Sequence, residues 1–182
     1  MHRLTRIVAP ALPVLSLSDA KAHLRVTHSE EDVAIAALVD AAAAWLDGWR
    51  GVLGMALDPQ TWELALDYFP AGGFCIPLGP VVSIVSVKYM DAAGVEQTMP
   101  PADYEAHAER IRPVAGWPAT NGALGAVRLQ FVAGDGVPDN IKHVVRLLVG
   151  HWYENRESVG DKMESVPMAV DMLVNSIRVV RI

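Results

Sequence analysis

The sequence is poor in cysteine, and this scarcity limits the chemistry available to the chain. Cys75 is the single cysteine among 182 residues, so an internal disulfide and a cysteine-based zinc site are both excluded. Its FCIP context predicts a small buried hydrophobic side chain in a strand. A chain of this kind suits a reducing cytoplasm.

Long apolar runs and excess positive charge are also lacking. No stretch approaches the roughly 20 apolar residues that cross a bilayer. The N-terminal MHRLTRIVAPALPVL is broken by Pro10 and Pro13, so it predicts a flexible or extended arm instead of a signal peptide. The net charge is −6 and the pI about 5.4. Such a chain does not grip nucleic acid through counterion release, but it is able to surround DNA without holding it.

A globular core is well supported by composition, with 52% hydrophobic and 20% charged residues. The residue patterns predict an α+β fold in one domain, residues 1–182. In this fold a helical bundle from the N- and C-terminal segments carries a strand-rich antiparallel middle insertion. The predicted parts are helices in 17–54, strands in 59–133, helices in 138–177 and a tail at 178–182.

Two helices are predicted in the first block. Ser16 or Ser18 caps the first, and Ser29 with Asp32 resembles a capping box for the second. Gly51 and Gly54 are stop signals for that second helix. Its apolar residues recur at helical spacing on one face: Ile35, Leu38, Ala42, Trp45, Leu46 and Trp49. Alanines dominate the opposite face, which is suited to close packing against another helix, including one from another subunit.

The middle block shows strand patterns. Trp62, Leu64, Leu66 and Tyr68 alternate along Thr61–Tyr68. A hairpin loop at Asp91–Gly94 is predicted to join Val81–Met90 to Val95–Met99. Two short edge strands and a closing strand follow: Tyr104–His107, Arg110–Arg112 and Ala126–Ala133.

The last block returns to helical patterns. Pro138 and Asp139 predict a helix start, and an apolar stripe follows: Ile141, Val144, Val145, Leu148, Val149 and Trp152. Gly160 predicts a break, and Pro167 opens a final helix with a second stripe: Val170, Leu173, Val174 and Ile177. Val179–Ile182 forms a β-prone tail.

The segment HWYENRE, His151–Glu157, has the most chemical appearance in the chain. His151 and Glu154 share a helix face, and with His143 they offer an incomplete metal-ligand set. No nucleophile motif accompanies them. A structural role therefore explains the segment better, with Trp152 in the core and Tyr153 partly buried with its hydroxyl free to bond. No catalytic residue, metal or cofactor is predicted.

Five segments, in this order and spacing, carry a resemblance to a known family. They are LSLSDAKAHLRVTHSEEDVAIAALVDAAAAWLD, QTWELALDYFP, IPLGPVVSIVSVKYMDAAGVEQTM, AVRLQFVAGDGVPDNIKHVVRLLVGHWYENRESV and VPMAVDMLV, and they cover about Leu15 to Val174. The chain resembles the bacteriophage head-to-tail connector proteins (head-completion or adaptor proteins), a family also found in prophages and gene transfer agents.

The resemblance implies a structural virion protein and no enzyme. Family members form a ring, usually of twelve copies, beneath the portal of a DNA-filled capsid. The implied partners are other copies of the chain, the portal protein, and the next neck or tail protein. DNA would pass through the channel without sequence-specific binding, and no membrane is involved. The implied location is the neck of the virion, after synthesis in the host bacterial cytoplasm.

The resemblance also suggests roles for named residues. Tyr153, Glu154 and Arg156 are hypothesised to lie at or near the subunit boundary, because aromatics and arginine are enriched in interface hot spots. The tail residues Val179, Val180, Arg181 and Ile182 are hypothesised to contact the portal by strand addition.

Three other functions stay open at this point. One is a different phage neck or tail-completion protein, such as a stopper or a tail terminator. Another is a metal-dependent hydrolase that uses His143, His151 and Glu154. The third is a cytoplasmic interaction module with no link to phages.

Overall fold

The computed structural model describes residues 3–155 and 168–179, which contain four α-helices and eight β-strands. The predicted α+β class is confirmed, with α-helices from the N- and C-terminal parts of the chain and strands that pair antiparallel. Two compact units result. The sheet unit comprises Met1–Ala11 and Asp58–Asp135, and the helical unit comprises Leu12–Leu57 and Gly136–Ile182. The assignment of residues 1–182 to one connector domain stays a prediction. None of the described helices has the length and apolar character to cross a bilayer.

The sheet unit contains two antiparallel sheets. The larger has the strand order β1-β2-β8-β4-β5 and the smaller the order β3-β7-β6. The strands are β1 (Arg3–Val8), β2 (Gln60–Leu66), β3 (Phe74–Cys75), β4 (Val81–Met90), β5 (Glu96–Thr98), β6 (Tyr104–His107), β7 (Arg110–Pro113) and β8 (Val127–Ala133).

Strand β8 lies at the centre of the larger sheet. It pairs with β2 from Gln60↔Ala133 to Leu66↔Val127, and with β4 on its other side. The prediction that this strand closes the sheet is therefore wrong. Alternate β8 residues are buried, namely Val127, Leu129, Phe131 and Ala133, and a strand that is apolar on one face gains most burial when neighbours flank both edges.

Strand β1 lies in the N-terminal segment for which a flexible or extended arm is predicted. The segment is extended as predicted, but it pairs antiparallel with β2 from Arg3↔Ala65 to Val8↔Thr61. Arg6 adds side-chain contacts, since Nη1 donates to Gln60 Oε1 at 3.4 Å and the guanidinium lies 5.9 Å from the Trp62 ring centroid. Without β1, the backbone groups along this edge of β2 would lack partners within the sheet.

The smaller sheet contains both predicted edge strands. Strand β6 is an edge strand as predicted, but β7 is central, because the short β3 pairs with its other side. Cys75 is exposed here, so its predicted burial is wrong. Cys75 faces Arg110 across the pair, and its chain neighbour Ile76 is buried. Strand alternation thus gives the core position to Ile76 and the outer position to the cysteine.

The helical unit contains α1 (Leu17–Leu24), α2 (Asp32–Leu46), α3 (Asp139–Glu154) and α4 (Met168–Ile177). Ser16 caps α1, because its Oγ accepts from the Asp19 backbone N–H at 3.1 Å. The capping box at Ser29 is wrong, since Glu31 is the N-cap of α2 and no side chain caps it. The same helix ends at Leu46, before the predicted stop signals Gly51 and Gly54 and before Trp49.

The core of the helical unit forms around α3, which packs against α1, α2 and α4. Five residues of its predicted stripe are buried and Trp152 is partly buried, which confirms the stripe. On α4, Val170 and Val174 are buried while Leu173 and Ile177 are partly buried. Gly160 and Pro167 lie outside the described residues.

Candidate assembly surface

The chemical-looking segment forms the last turn of α3. Trp152 packs against the helical core, and Asn155 closes the helix end. The Asn155 backbone N–H donates to the His151 carbonyl at 3.0 Å, and its side-chain amide donates to the same oxygen at 2.8 Å. These contacts satisfy a carbonyl that the helix end would otherwise leave unpaired, so this part of the segment acts as a cap.

Tyr153 joins the end of α3 to the start of α2. Its hydroxyl donates to Oε2 of Glu31, the N-cap residue of α2, across 122 positions of sequence. The Glu31 side chain also lies 3.9 Å from His28 Nε2, and His28 Nδ1 lies 2.7 Å from Glu30. Tyr153 is partly buried as predicted. Its hydroxyl forms a hydrogen bond, as predicted, and the acceptor lies within the same chain.

Of the other two predicted boundary residues, only Glu154 lies within the described part of the chain. Glu154 is exposed at the end of α3, while Arg156 lies outside the described residues. The boundary hypothesis for Tyr153, Glu154 and Arg156 therefore stays a prediction. Because Tyr153 contacts Glu31, this end of α3 lies beside the N-terminal end of α2.

The described residues do not support the alternative of a metal-dependent hydrolase. Within residues 3–155 and 168–179, no group of three or more His, Cys, Asp or Glu side chains is arranged to hold a metal ion. His143, His151 and Glu154 are thus not brought together as a ligand set. A metal-assisted hydrolysis needs such a set together with an open coordination position.

Val179, the first residue of the predicted portal contact, is hydrogen-bonded to the loop that follows α2. The Val179 backbone N–H donates to the Leu53 carbonyl at 3.0 Å, and the Val179 side chain is about half exposed. Val180, Arg181 and Ile182 lie outside the described residues. The portal-contact hypothesis for these four residues stays a prediction.

Helices α2 and α4 of the helical unit each carry an exposed apolar face. On α2, Val33 is 84% exposed, and Ala34, Ala37, Ala41 and Ala44 are exposed with it. This agrees with the alanine-rich face read from the sequence. On α4, Met168 and Met172 are 77% and 70% exposed. The methionine pair was missed, although its four-residue spacing on the side opposite Val170 and Val174 is a signal for an outer ridge.

A charged cleft lies on the smaller sheet of the sheet unit. It has a volume of about 560 Å³ and is lined by Gly72, Glu105, His107, Arg110 and Arg112. Arg112 donates through Nε and Nη2 to Glu105 Oε2, at 2.8 and 2.6 Å. Both partners are more than half exposed, so water screens the pair and its contribution to stability is small.

The β4–β5 hairpin is stabilised by carboxylates. Asp91 accepts from the backbone N–H groups of Ala93 and Val95 at 2.9 and 3.0 Å and from Gln97 Nε2 at 2.9 Å. The hydrogen bond from Val95 and then that from Gln97 lower the pKa of Asp91 below its ordinary value. Glu96 has a lowered pKa as well, chiefly because Lys88 hydrogen-bonds to it at 3.0 Å.

Comparison with known proteins identifies the fold. No protein-family model matches the chain, and no curated protein matches it. Among solved structures, a chain in "Virion of native gene transfer agent (GTA) particle" is 25% identical with a TM-score of 0.78, and the match covers 98% of this chain and 96% of that one. A chain in "Neck of empty GTA particle computed with C6 symmetry" is 26% identical with a TM-score of 0.78, covering 99% and 97%.

A third structure supports the fold alone. The chain in "Neck of native GTA particle computed with C12 symmetry" is 23% identical with a TM-score of 0.71, covering 99% of this chain and 97% of that one. The fold therefore defines a neck protein of the phage connector type. More particularly, it is the fold of chains in gene transfer agent particles, and the resemblance read from the sequence is confirmed.

Proposed function

We propose that the chain is a structural virion protein of the neck, which joins head to tail. The observation that carries this function is the structural likeness over nearly the whole chain to components of a gene transfer agent virion and neck. At a TM-score of 0.78 with 98% and 99% of the chain covered, both units take part in the match. The likeness is thus to a whole neck component and not to one shared subdomain.

In this function the chain works in a ring. A neck with C6 symmetry repeats its chains around one axis, and such repetition requires each subunit to contact its neighbour through two different surfaces that close on themselves. Twelve copies, the number that the family resemblance implies, fit a sixfold axis with two copies in each repeat. The ring extends the channel that begins at the portal.

Contacts with the portal and with the next neck protein complete the proposed role. The tail Val179–Ile182 adds a strand to a portal sheet, starting from the point where Val179 bonds to Leu53. Glu154 and Arg156 lie at the subunit boundary, and Tyr153 positions that end of α3 through Glu31.

Charge is consistent with passage of DNA. Acidic residues outnumber lysine and arginine in both units, and the chain carries a net charge of −6. A ring built from such subunits gains little from counterion release when a duplex enters it. DNA therefore slides through the channel without being held, and the chain performs no catalysis.

Purified particles test this function. Electron microscopy with a label on the chain is expected to show density at the neck, and a strain that lacks the gene is expected to yield DNA-filled heads without tails. Complementation with the unaltered gene serves as the control. Absence of the chain from purified particles, or tailed particles in the deletion strain, would contradict the function.

A charge reversal at the subunit boundary tests one contact separately. Arg156→Glu is expected to weaken ring assembly while the monomer keeps its circular dichroism spectrum and its thermal midpoint. Unchanged assembly on portals would remove Arg156 from the boundary, but it would leave the neck function standing.

A further inference from the structure

The outer face of α2 is apolar where an isolated surface helix is usually polar. At 100° per residue, Val33, Ala37 and Ala44 point away from the buried residues Ile35 and Val39. Asp40 is the one charged residue among the exposed positions between Val33 and Ala44. Small side chains on this face allow another helix to approach closely. The exposed apolar residues of the face are called the strip below: Val33, Ala34, Ala37, Ala41 and Ala44.

The outer face of α4 is also apolar. Met168 and Met172 are one helical turn apart and point away from Val170 and Val174, which are buried. Methionine is long, unbranched and flexible, and it commonly fills irregular apolar surfaces in contacts between chains. Two exposed methionines in one row therefore form an apolar ridge, which is called the methionine ridge below.

The strip and the methionine ridge lie on two different helices of the helical unit. Helix α3 packs against α2 and also against α4, while no comparable contact joins α2 to α4 in the described residues. One copy therefore cannot fold its own methionine ridge onto its own strip. A ring with head-to-tail contacts needs this arrangement, because each subunit must present two different surfaces to two neighbours.

We infer that the methionine ridge of α4 on one copy of the chain packs onto the outer face of α2 on the next copy. This inference rests on the proposed ring, and it names the surfaces that close it. The occupant is a second copy because a neck of sixfold symmetry surrounds its axis with repeated chains, and because the strip and the ridge are both exposed and apolar. Burial of Val33, Met168 and Met172, which are 84%, 77% and 70% exposed, removes apolar surface from water.

Each of the two apolar faces has an exposed aspartate next to it. Asp40 on α2 and Asp171 on α4 are both exposed next to the apolar residues, so the two surfaces repel each other weakly at neutral pH. Salt screens that repulsion and leaves burial of the apolar side chains in place. Association through these faces is therefore expected to persist or to strengthen as the salt concentration rises.

Cysteine cross-linking tests the pairing directly. The full-length chain is prepared with Cys75→Ser, since Cys75 is exposed and would form unwanted links. Ala37→Cys and Met172→Cys are introduced together in this background, and the protein is oxidised mildly at high concentration and at low and high salt. Both positions are exposed, and circular dichroism verifies the fold of each variant.

Three control samples sharpen the result. The double variant is expected to give a ladder of covalent oligomers, whereas an equimolar mixture of the two single variants stops at dimers. Each single variant alone stays monomeric, because α2 meets α4 and never its own equivalent. Ala22→Cys, an exposed alanine on α1, replaces Ala37→Cys in the matched control and is expected to give no ladder with Met172→Cys.

The outcomes separate this pairing from the neck function. Rings that assemble but form no link between positions 37 and 172 overturn the pairing and leave the ring intact. Failure to associate or to cross-link at any salt concentration also overturns it, because these faces are inferred to bind each other unaided. Location of the chain in purified particles is measured independently and decides the neck function alone.

Discussion

The contact between Tyr153 and Glu31 predicts a measurable loss of stability on removal of a single oxygen atom. Tyr153→Phe keeps the ring and its packing against the helical core but deletes the hydroxyl that donates to Glu31 Oε2. The end of α3 then loses its polar connection to the first turn of α2. The Glu31 carboxylate loses one donor, and water must replace it.

The expected magnitude follows from the type of bond and its exposure. Hydrogen bonds to charged groups contribute about 1.5–3 kcal/mol. The Glu31 side chain is 25% exposed and Tyr153 is partly buried, so water recovers part of that value. We expect the free energy of unfolding to fall by about 1–2 kcal/mol, which for a chain of this size lowers the melting temperature by roughly 2–8 °C.

Urea unfolding monitored by circular dichroism at 222 nm reports this change, since the four α-helices in the described part of the chain all lie in the helical unit. Tyr68→Phe is the matched control, because Tyr68 is 65% exposed and its change should stay within about 0.5 kcal/mol. A double-mutant cycle with Glu31→Gln isolates the pair. A coupling energy below about 0.5 kcal/mol would show that the two side chains do not act together.

Three further changes have definite expected outcomes. Leu148 is 0% exposed, so Leu148→Ala leaves a cavity in the core and should lower the free energy of unfolding in urea by about 2–5 kcal/mol. Leu124→Ala, at a 91% exposed position, is the control and should lower it by less than about 0.5 kcal/mol. Gly51→Ala places a Cβ 2.3 Å from the Leu46 carbonyl oxygen, so the backbone must shift and the melting temperature should fall. Asp91→Ala should destabilise the protein at pH 7. Folding lowers the pKa of Asp91 below 3.8. The difference in unfolding free energy between the unaltered protein and Asp91→Ala is therefore expected to persist above pH 3.8 and to shrink as the pH falls through the lower folded pKa. A constant difference from pH 7 to pH 2 would refute this prediction.

Local periodicity explains the parts of the fold that the sequence predicts well. The strands Val81–Met90 and Tyr104–His107 were predicted with the bounds that the structure has. The buried stripe of α3 also agrees residue by residue apart from the partly buried Trp152. These elements bury one face through a repeat of about two or 3.6 residues, and the repeat is visible in any short window of sequence.

The incorrect predictions concern partners that are distant in sequence. The pairing of β1 with β2 joins residues more than 50 positions apart, and nothing in MHRLTRIV specifies that partner. The capping box at Ser29 failed for a related reason. Glu31, the actual N-cap residue, directs its carboxylate towards Tyr153, 122 positions away. Local capping rules therefore choose the wrong residue where a tertiary contact supplies the competing polar group.

The same reasoning separates two kinds of side chain in the helical unit. Side chains such as Tyr153 and Asn155 can satisfy hydrogen bonds inside one chain, and here they do so. An outer face of alanine, valine and methionine has no such internal use, because burial is the only interaction through which it contributes much free energy. In a protein that works by fitting against copies of itself, the residues most exposed against their chemical preference are therefore the better indicator of the contact. Val33, Met168 and Met172 are among the side chains of the helical unit that meet that criterion. Tyr153 holds the end of α3 against the start of α2.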